Sequence, residues 1–329
     1  MKAIKILTMA ALATAVFASC SSEDELAQNN YPMDNVVRIM TSVDGMNTRA
    51  SYGNSTDNLS SFGFCINNAG STKYTYDNIK VTKEGYNWIP ATQMLWQNST
   101  TAVDILAYAP YQETTEDASG KVKVFGKTDY AFSVKEDQSN AEDYSSDLIV
   151  FKQTGFTPVL ELNTSKAVEV AFTHLLSQLN LTIELRDQFN QDEKKPVTSA
   201  TVTDVKVDGT LIRSKVNFAA DPISVQFDGM ASKAITPETV AFTKADKTTD
   251  HATFKYSAIV IPQWIMAGTF CISFKVDGTD YIWTSTSDVK FVSGKKYELH
   301  LLVGKDVVQG GAISAKPWGE ETITEKETD

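Results

Sequence analysis

Phe270-Cys271-Ile272-Ser273-Phe274-Lys275-Val276-Asp277-Gly278-Thr279-Asp280-Tyr281-Ile282-Trp283 reads as one alternating run, a tight turn and a return. Phe270, Ile272, Phe274 and Val276 share one face, with small or polar residues between them. That is the period-two pattern of a half-buried strand. Asp277-Gly278 supplies two positions that tolerate positive φ, the requirement of a two-residue hairpin turn. Tyr281 and Trp283 then return on the second strand. The turn text also occurs earlier: Lys206-Val207-Asp208-Gly209-Thr210 matches Lys275-Val276-Asp277-Gly278-Thr279 and predicts a second hairpin.

The pattern continues in both directions. Val37, Ile39, Thr41 and Val43 alternate with Arg38, Met40 and Ser42. Residues 61–66, 78–82, 103–108, 147–152, 167–172 and 181–185 read as further strands, and Tyr297 to Val303 as another after the turn at Gly294. One stretch reads differently. Phe172, Leu175, Leu176 and Leu179 fall at i, i+3, i+4 and i+7, which predicts a helical turn bearing His174. Many short strands and almost no helix predict an all-β protein, two antiparallel sandwiches in series. The polar run 187–196, ending in Pro196, places the boundary between them. The predicted organisation is 1–19 signal peptide, 20–35 flexible tether, 36–187 and 188–319 the two sandwiches, and 320–329 a charged tail.

Composition limits function. The 329 residues carry a net charge of -11 and are 42% hydrophobic, enough for real cores. The negative charge argues against nucleic acid as a partner. Cys65 and Cys271 both sit in apolar strand text in different predicted domains, so they are expected to be buried free thiols. His174, His251 and His300 are scattered, without metal-ligand spacing, so no metal is expected. There is no Gly-x-Ser-x-Gly, phosphate-binding loop or dinucleotide glycine pattern. Acidic pairs such as Glu142-Asp143 read as solvated surface and the five tryptophans as packing, so neither catalytic residues nor a dissociable cofactor are expected.

Two short segments carry more information. Lys2 and Lys5 precede an apolar stretch from Ile6 to Ala18, then Ser19 and Cys20. This is a secretory signal whose removal leaves Cys20 first, the bacterial lipidation pattern, with Phe17 where an aliphatic residue is usual. Each buried acyl CH₂ contributes about 0.8 kcal/mol, so two or three chains anchor the protein firmly to a membrane. The second segment follows the first strand. Asp44-Gly45-Met46-Asn47-Thr48-Arg49-Ala50-Ser51 is polar and turn-prone, with one arginine before two small residues, the site a trypsin-like protease prefers.

In order and spacing the chain resembles the fimbrillins, lipoprotein pilins of type V pili. The likeness rests on Cys20; on Thr48-Arg49-Ala50 after a first strand; and on Trp88-Ile89-Pro90 and Leu95-Trp96 followed by Val103-Asp104-Ile105-Leu106-Ala107-Tyr108-Ala109-Pro110. It rests also on Asp137-Gln138-Ser139 leading to Ser146-Asp147-Leu148, on Phe172 to Leu179, on Ile259-Val260-Ile261-Pro262-Gln263 and on Gly294-Lys295-Lys296-Tyr297. The resemblance implies two tandem transthyretin-like sandwiches, export to the outer membrane as a lipoprotein, and cleavage between Arg49 and Ala50 by an Arg-specific protease. It further implies departure of the first strand (Val37, Ile39, Val43) and its replacement by a strand from another pilin subunit, with adhesion as the outcome. The candidate donor strand is Ala312-Ile313-Ser314-Ala315, although Gly310-Gly311 and Pro317 flank it. The alternatives are a surface glycan-binding lipoprotein that keeps its lipid, and a secreted β-sandwich hydrolase.

Overall fold

The computed structural model describes residues 30–43, 52, 56–113, 116–117, 120–121, 123–191, 196–230, 232–247, 249–311 and 313–318. The predicted signal peptide, Cys20, Arg49, Ala50, Ala312 and the tail 320–329 lie outside them. The regular elements of the described chain are almost all strands, in two sandwich-like units.

The first unit is a seven-stranded sheet. In spatial order its strands are Ile39–Val43, Val168–His174, Ile149–Phe156, Val103–Ala109, Ser61–Asn67, Tyr76–Glu84 and Asn87–Pro90. Two of its central strands, Ser61–Asn67 and Val103–Ala109, are buried on both faces. On Ser61–Asn67, Phe62, Phe64 and Ile66 enter one core, whereas Cys65 enters the other. Ile105 and Ala107 likewise oppose Leu106 and Tyr108. The sheet therefore sits between its own core and the core of the second unit. It also curls, so that the chain leading into one edge strand meets the chain following the other: Val37 N–H donates to the Met94 carbonyl at 3.0 Å.

The second unit has Ser177–Leu185 near its centre, paired antiparallel with Ala252–Val260 and parallel with Lys295–Val303. Glu238–Thr243 closes one side, and Val308–Gly310 and Ser314–Pro317 the other. Across the core lie Val202–Asp208, Cys271–Val276 and Thr279–Thr284, and a third sheet of Ser224–Phe227, Arg213–Asn217 and Tyr130–Ser133.

These pairings correct three expectations. The stretch 172–179 is not a helical turn. Two period-two tracts, Val168–His174 and Ser177–Leu185, meet at Leu175 and Leu176, both buried where the chain passes between the units. The boundary expected at 187/188 also moves. Ser177–Leu185 is integral to the second unit and Tyr130–Ser133 crosses into it, so no boundary falls at 187/188. Finally, Asp208-Gly209 joins no hairpin: Val202–Asp208 pairs with Cys271–Val276, and the next strand pairs elsewhere. Asp277-Gly278 does form the expected turn, with φ of 49° and 84° and Val276 opposite Thr279.

The two matching glycines thus have different work. Gly209 (φ +82°) lies so close to the Thr269 carbonyl that a Cβ would stand 2.2 Å from its oxygen, whereas nothing lies within 4 Å of a Cβ at Gly278. Gly278→Ala is expected to cost only the left-handed backbone term, about 1–2 kcal/mol. Gly209→Ala adds a backbone collision of about 1–3 kcal/mol more. Urea unfolding of both variants checks this, and equal losses would contradict it.

The units are tied at side-chain level. Gln138 takes both main-chain groups of Ile259, accepting its N–H at 2.8 Å and donating to its carbonyl at 2.9 Å. Lys152 Nζ donates to the carbonyls of Phe218, Ala219 and Ala220.

Candidate functional site

The first strand, Ile39–Val43, lies at the edge of its sheet and has one neighbour there, Val168–His174. The pairing is parallel, from Ile39 opposite Val168 to Val43 opposite Phe172. Parallel ladders are slightly weaker per residue than antiparallel ones. Val37, Ile39 and Val43 are buried in the first core, as the alternation predicts. Met40 is not part of that set: it is 46% exposed and lies against the Asn163 amide on the solvent side. Between this strand and Asn87–Pro90 the sheet stays open in a cleft of about 610 Å³, lined by Ile39, Met40, Trp88, Pro90 and Met94.

The described chain includes Asn30 to Asn35, so the last residues of the expected tether are packed. Asn30 donates to the Leu162 carbonyl at 3.0 Å, and Tyr31 lies against the first core. Arg38 pairs with Asp34 at 2.6 Å; this hydrogen bond and the Val36 N–H lower the Asp34 carboxyl to about 2. Both groups are solvent-facing, so the pair contributes little to stability.

Arg49 and Ala50 fall between two fixed points. On one side Val43 is in the core. On the other, Tyr52 is buried, donates its backbone N–H to Asp147 Oδ2 at 2.9 Å and stacks on Tyr144 at 5.5 Å. Burial pushes the Tyr52 hydroxyl well above the usual phenol range.

The candidate donor segment is paired within its own chain. Ser314 and Ala315 lie opposite Glu298 and Tyr297 on Lys295–Val303, and Ile313 packs on the second core. Pro317 stands opposite Lys295 at the end of that ladder, where its missing N–H disrupts least. Val308–Gly310 pairs with the far end of the same strand, and Gly310 lets Trp283 lie flush against it.

The remaining predicted residues fall elsewhere. Cys65 is buried and Cys271 half-buried, both free thiols, and burial raises both pKa values. His174 is a buried strand residue rather than a helical one; its Nδ1 meets Asp147 Oδ1 at 2.9 Å. His251 and His300, read from sequence as isolated, converge on Glu184, His300 Nε2 at 2.7 Å from Oε2. Among the described residues no group of His, Cys, Asp and Glu side chains is arranged to hold a metal ion. Trp96 and Trp318 are buried, whereas Trp264 is exposed and held by Asp288.

Sequence reasoning missed Asp147 and Trp318 as partners of His174. They come from separate strands and turns, and nothing in local spacing points from one to another.

Several solved structures share the fold. A Bacteroides uniformis protein with a cell-adhesion designation aligns over 87% of this chain and 99% of its own, with TM-score 0.56 and 20% identity. A similarly designated protein of Bacteroides ovatus aligns over 87% and 98%, with TM-score 0.61 and 12% identity. A fimbrial protein of Bacteroides vulgatus aligns over 86% and 99%, with TM-score 0.51 and 16% identity. No curated protein matches by sequence. The fimbrillin-like family model matches residues 48–318, most of the described fold from the Arg49 junction to Trp318, and the chain belongs to that family.

Proposed function

We propose that the protein is a structural subunit, stalk or tip, of a cell-surface pilus that supports adhesion. It is exported as a lipoprotein through Cys20 and held at the outer membrane by that lipid, its only covalent group. An Arg-specific protease cuts between Arg49 and Ala50, and the freed subunit assembles with other pilin subunits by donor-strand exchange. Its role is non-catalytic, and transthyretin-like connectivity of the two sandwiches belongs to the same reading.

The observation that carries it is the first strand. It is a five-residue edge strand, paired on one side in the weaker parallel mode, yet it contributes Ile39 and Val43 to the core, and the chain leading into it contributes Val37. Such a strand can leave as a unit, and its departure opens an apolar groove beside the unpaired edge of Val168–His174. Main-chain pairing by a foreign strand satisfies that edge, and alternating side chains fill the groove. Ile313 and Ala315 have that period-two spacing. The family match beginning at Thr48, without the first strand, agrees with a mature chain that starts at Ala50.

The test is the N-terminal residue of the assembled surface form, read by terminal sequencing and intact mass. Free Ala50 is expected; assembled protein that retains lipid-bearing Cys20 overturns the reading.

A further inference from the structure

Three parts of the chain that matter to assembly meet at one buried pair. Asp147 and His174 have fully buried side chains, joined Oδ1 to Nδ1 at 2.9 Å. The second carboxylate oxygen of Asp147 accepts the backbone N–H of Tyr52, close behind Arg49, at 2.9 Å. The His174 ring is covered by Trp318, with centroids 3.9 Å apart and planes 8° from parallel. Trp318 directly follows the C-terminal strand and is fixed again by its N–H to the Gly294 carbonyl at 3.3 Å. His174 itself ends the strand on which the first strand is seated.

A buried carboxylate is tolerated only while it is hydrogen-bonded, and each donor holds the others in place. The two oxygens of Asp147 face the Tyr52 N–H and the imidazole Nδ1. The imidazole plane is the surface against which Trp318 lies.

We propose that the Asp147–His174 pair couples the processing segment to the C-terminal strand, keeping Trp318 seated until the chain is cut. This rests on the reading above, in which the cut falls after Arg49 and the C-terminal strand is the donor. Before the cut, Tyr52 is held by Asp147 and by its covalent connection to Val43 in the core. Once the first strand leaves, that connection is lost. Tyr52 loosens, Asp147 loses a donor, the imidazole loses its fixed partner, and Trp318 loses the surface it stacks on. The strand paired in cis is then released for a neighbour only after processing. Coupling of this kind is reciprocal: unseating Trp318 must also loosen Tyr52.

Amide hydrogen exchange on the full lipid-bearing chain in detergent tests both directions. After cleavage and loss of the first strand, the amides of Ser314, Ala315, Lys316 and Trp318 are expected to exchange about tenfold faster or more, within the usual range of such couplings. Asp147→Asn should make these amides fast before cleavage and insensitive to it. In uncut protein, Trp318→Leu should raise exchange at Tyr52 by a similar factor; Trp318 belongs to the second core near the end of the described fold, and Leu keeps an apolar side chain there while removing the ring. Unchanged protection at 314–318 in cut protein, or an unaffected Tyr52 in the Trp318→Leu chain, overturns the coupling. Absence of any cut at Arg49 instead overturns the pilin reading, and the Trp318→Leu measurement still decides the coupling.

Discussion

Arg49→Ala is expected to leave the protein lipidated at Cys20 and monomeric, with assembly abolished rather than reduced. The sequence has four arginines: Arg38, Arg49, Arg186 and Arg213. A protease must draw an extended stretch of substrate into its cleft, and Arg38, Arg186 and Arg213 are tied to folded backbone. The Arg38 carbonyl accepts the Val168 N–H at 2.8 Å. Arg186 donates its N–H to Val303 at 2.9 Å and its guanidinium to Gln309. Arg213 lies in a strand opposite Ser133, and its carbonyl accepts the Asp228 N–H. Cutting at any of these requires local unfolding. Intact mass after a brief Arg-specific digest is expected to show one fragment boundary, at Arg49/Ala50, in the parent and none in Arg49→Ala. Sedimentation should show polymers only for the cut parent. Polymerisation of the Arg49→Ala chain, or early cutting at Arg38, would count against processing as the trigger.

The fold class was legible because strand alternation is a local property. Phe270 to Trp283 needed no knowledge of the rest of the chain, and the Asp277-Gly278 turn formed as its residue types require. Where the reading failed, pairing between distant segments decided the outcome. Phe172, Leu175, Leu176 and Leu179 imitate a helical face because two strands abut with their alternation out of phase. Leu175 and Leu176 are both buried in the second core at the crossing, and the Leu175 N–H donates to Leu148 while the Leu176 carbonyl accepts from Gly294. Asp208-Gly209 has hairpin text but serves a close backbone approach to Thr269. The polar run 187–196 reads as a linker from composition alone, but Ser177–Leu185 before it already pairs with Ala252–Val260 and Lys295–Val303 of the second unit. The buried face of the first strand was legible in Val37, Ile39 and Val43, whereas its parallel partner was not. Nor was the meeting of Tyr52, Asp147, His174 and Trp318, which depends wholly on tertiary structure.

Removing the first strand is expected to destabilise the first unit by several kcal/mol, and a strand supplied in trans to restore it. Val37, Ile39 and Val43 are each more than nine-tenths buried. At about 1.5–3 kcal/mol for each buried aliphatic side chain, their loss amounts to roughly 5–9 kcal/mol. The departing strand also bares the edge of Val168–His174, where Val168, Val170 and Phe172 now face a solvated groove. A typical domain is stable by only about 5–15 kcal/mol, so the processed unit is left near its unfolding threshold. That deficit drives capture of a neighbour's strand. A peptide spanning residues 36–43, added to the cut and stripped chain, is expected to raise its unfolding midpoint in proportion to the logarithm of peptide concentration. The same peptide with Ile39 and Val43 replaced by Asp should have no effect, because its backbone can pair but its side chains cannot enter the core. A peptide spanning residues 311–318 should restore less, since Ala315 fills less of the groove than the aliphatic side chain it would replace. Urea unfolding followed by tryptophan fluorescence measures each case. A stripped chain that unfolds at the same urea concentration as the intact one would show that the first strand is dispensable and that nothing drives the exchange.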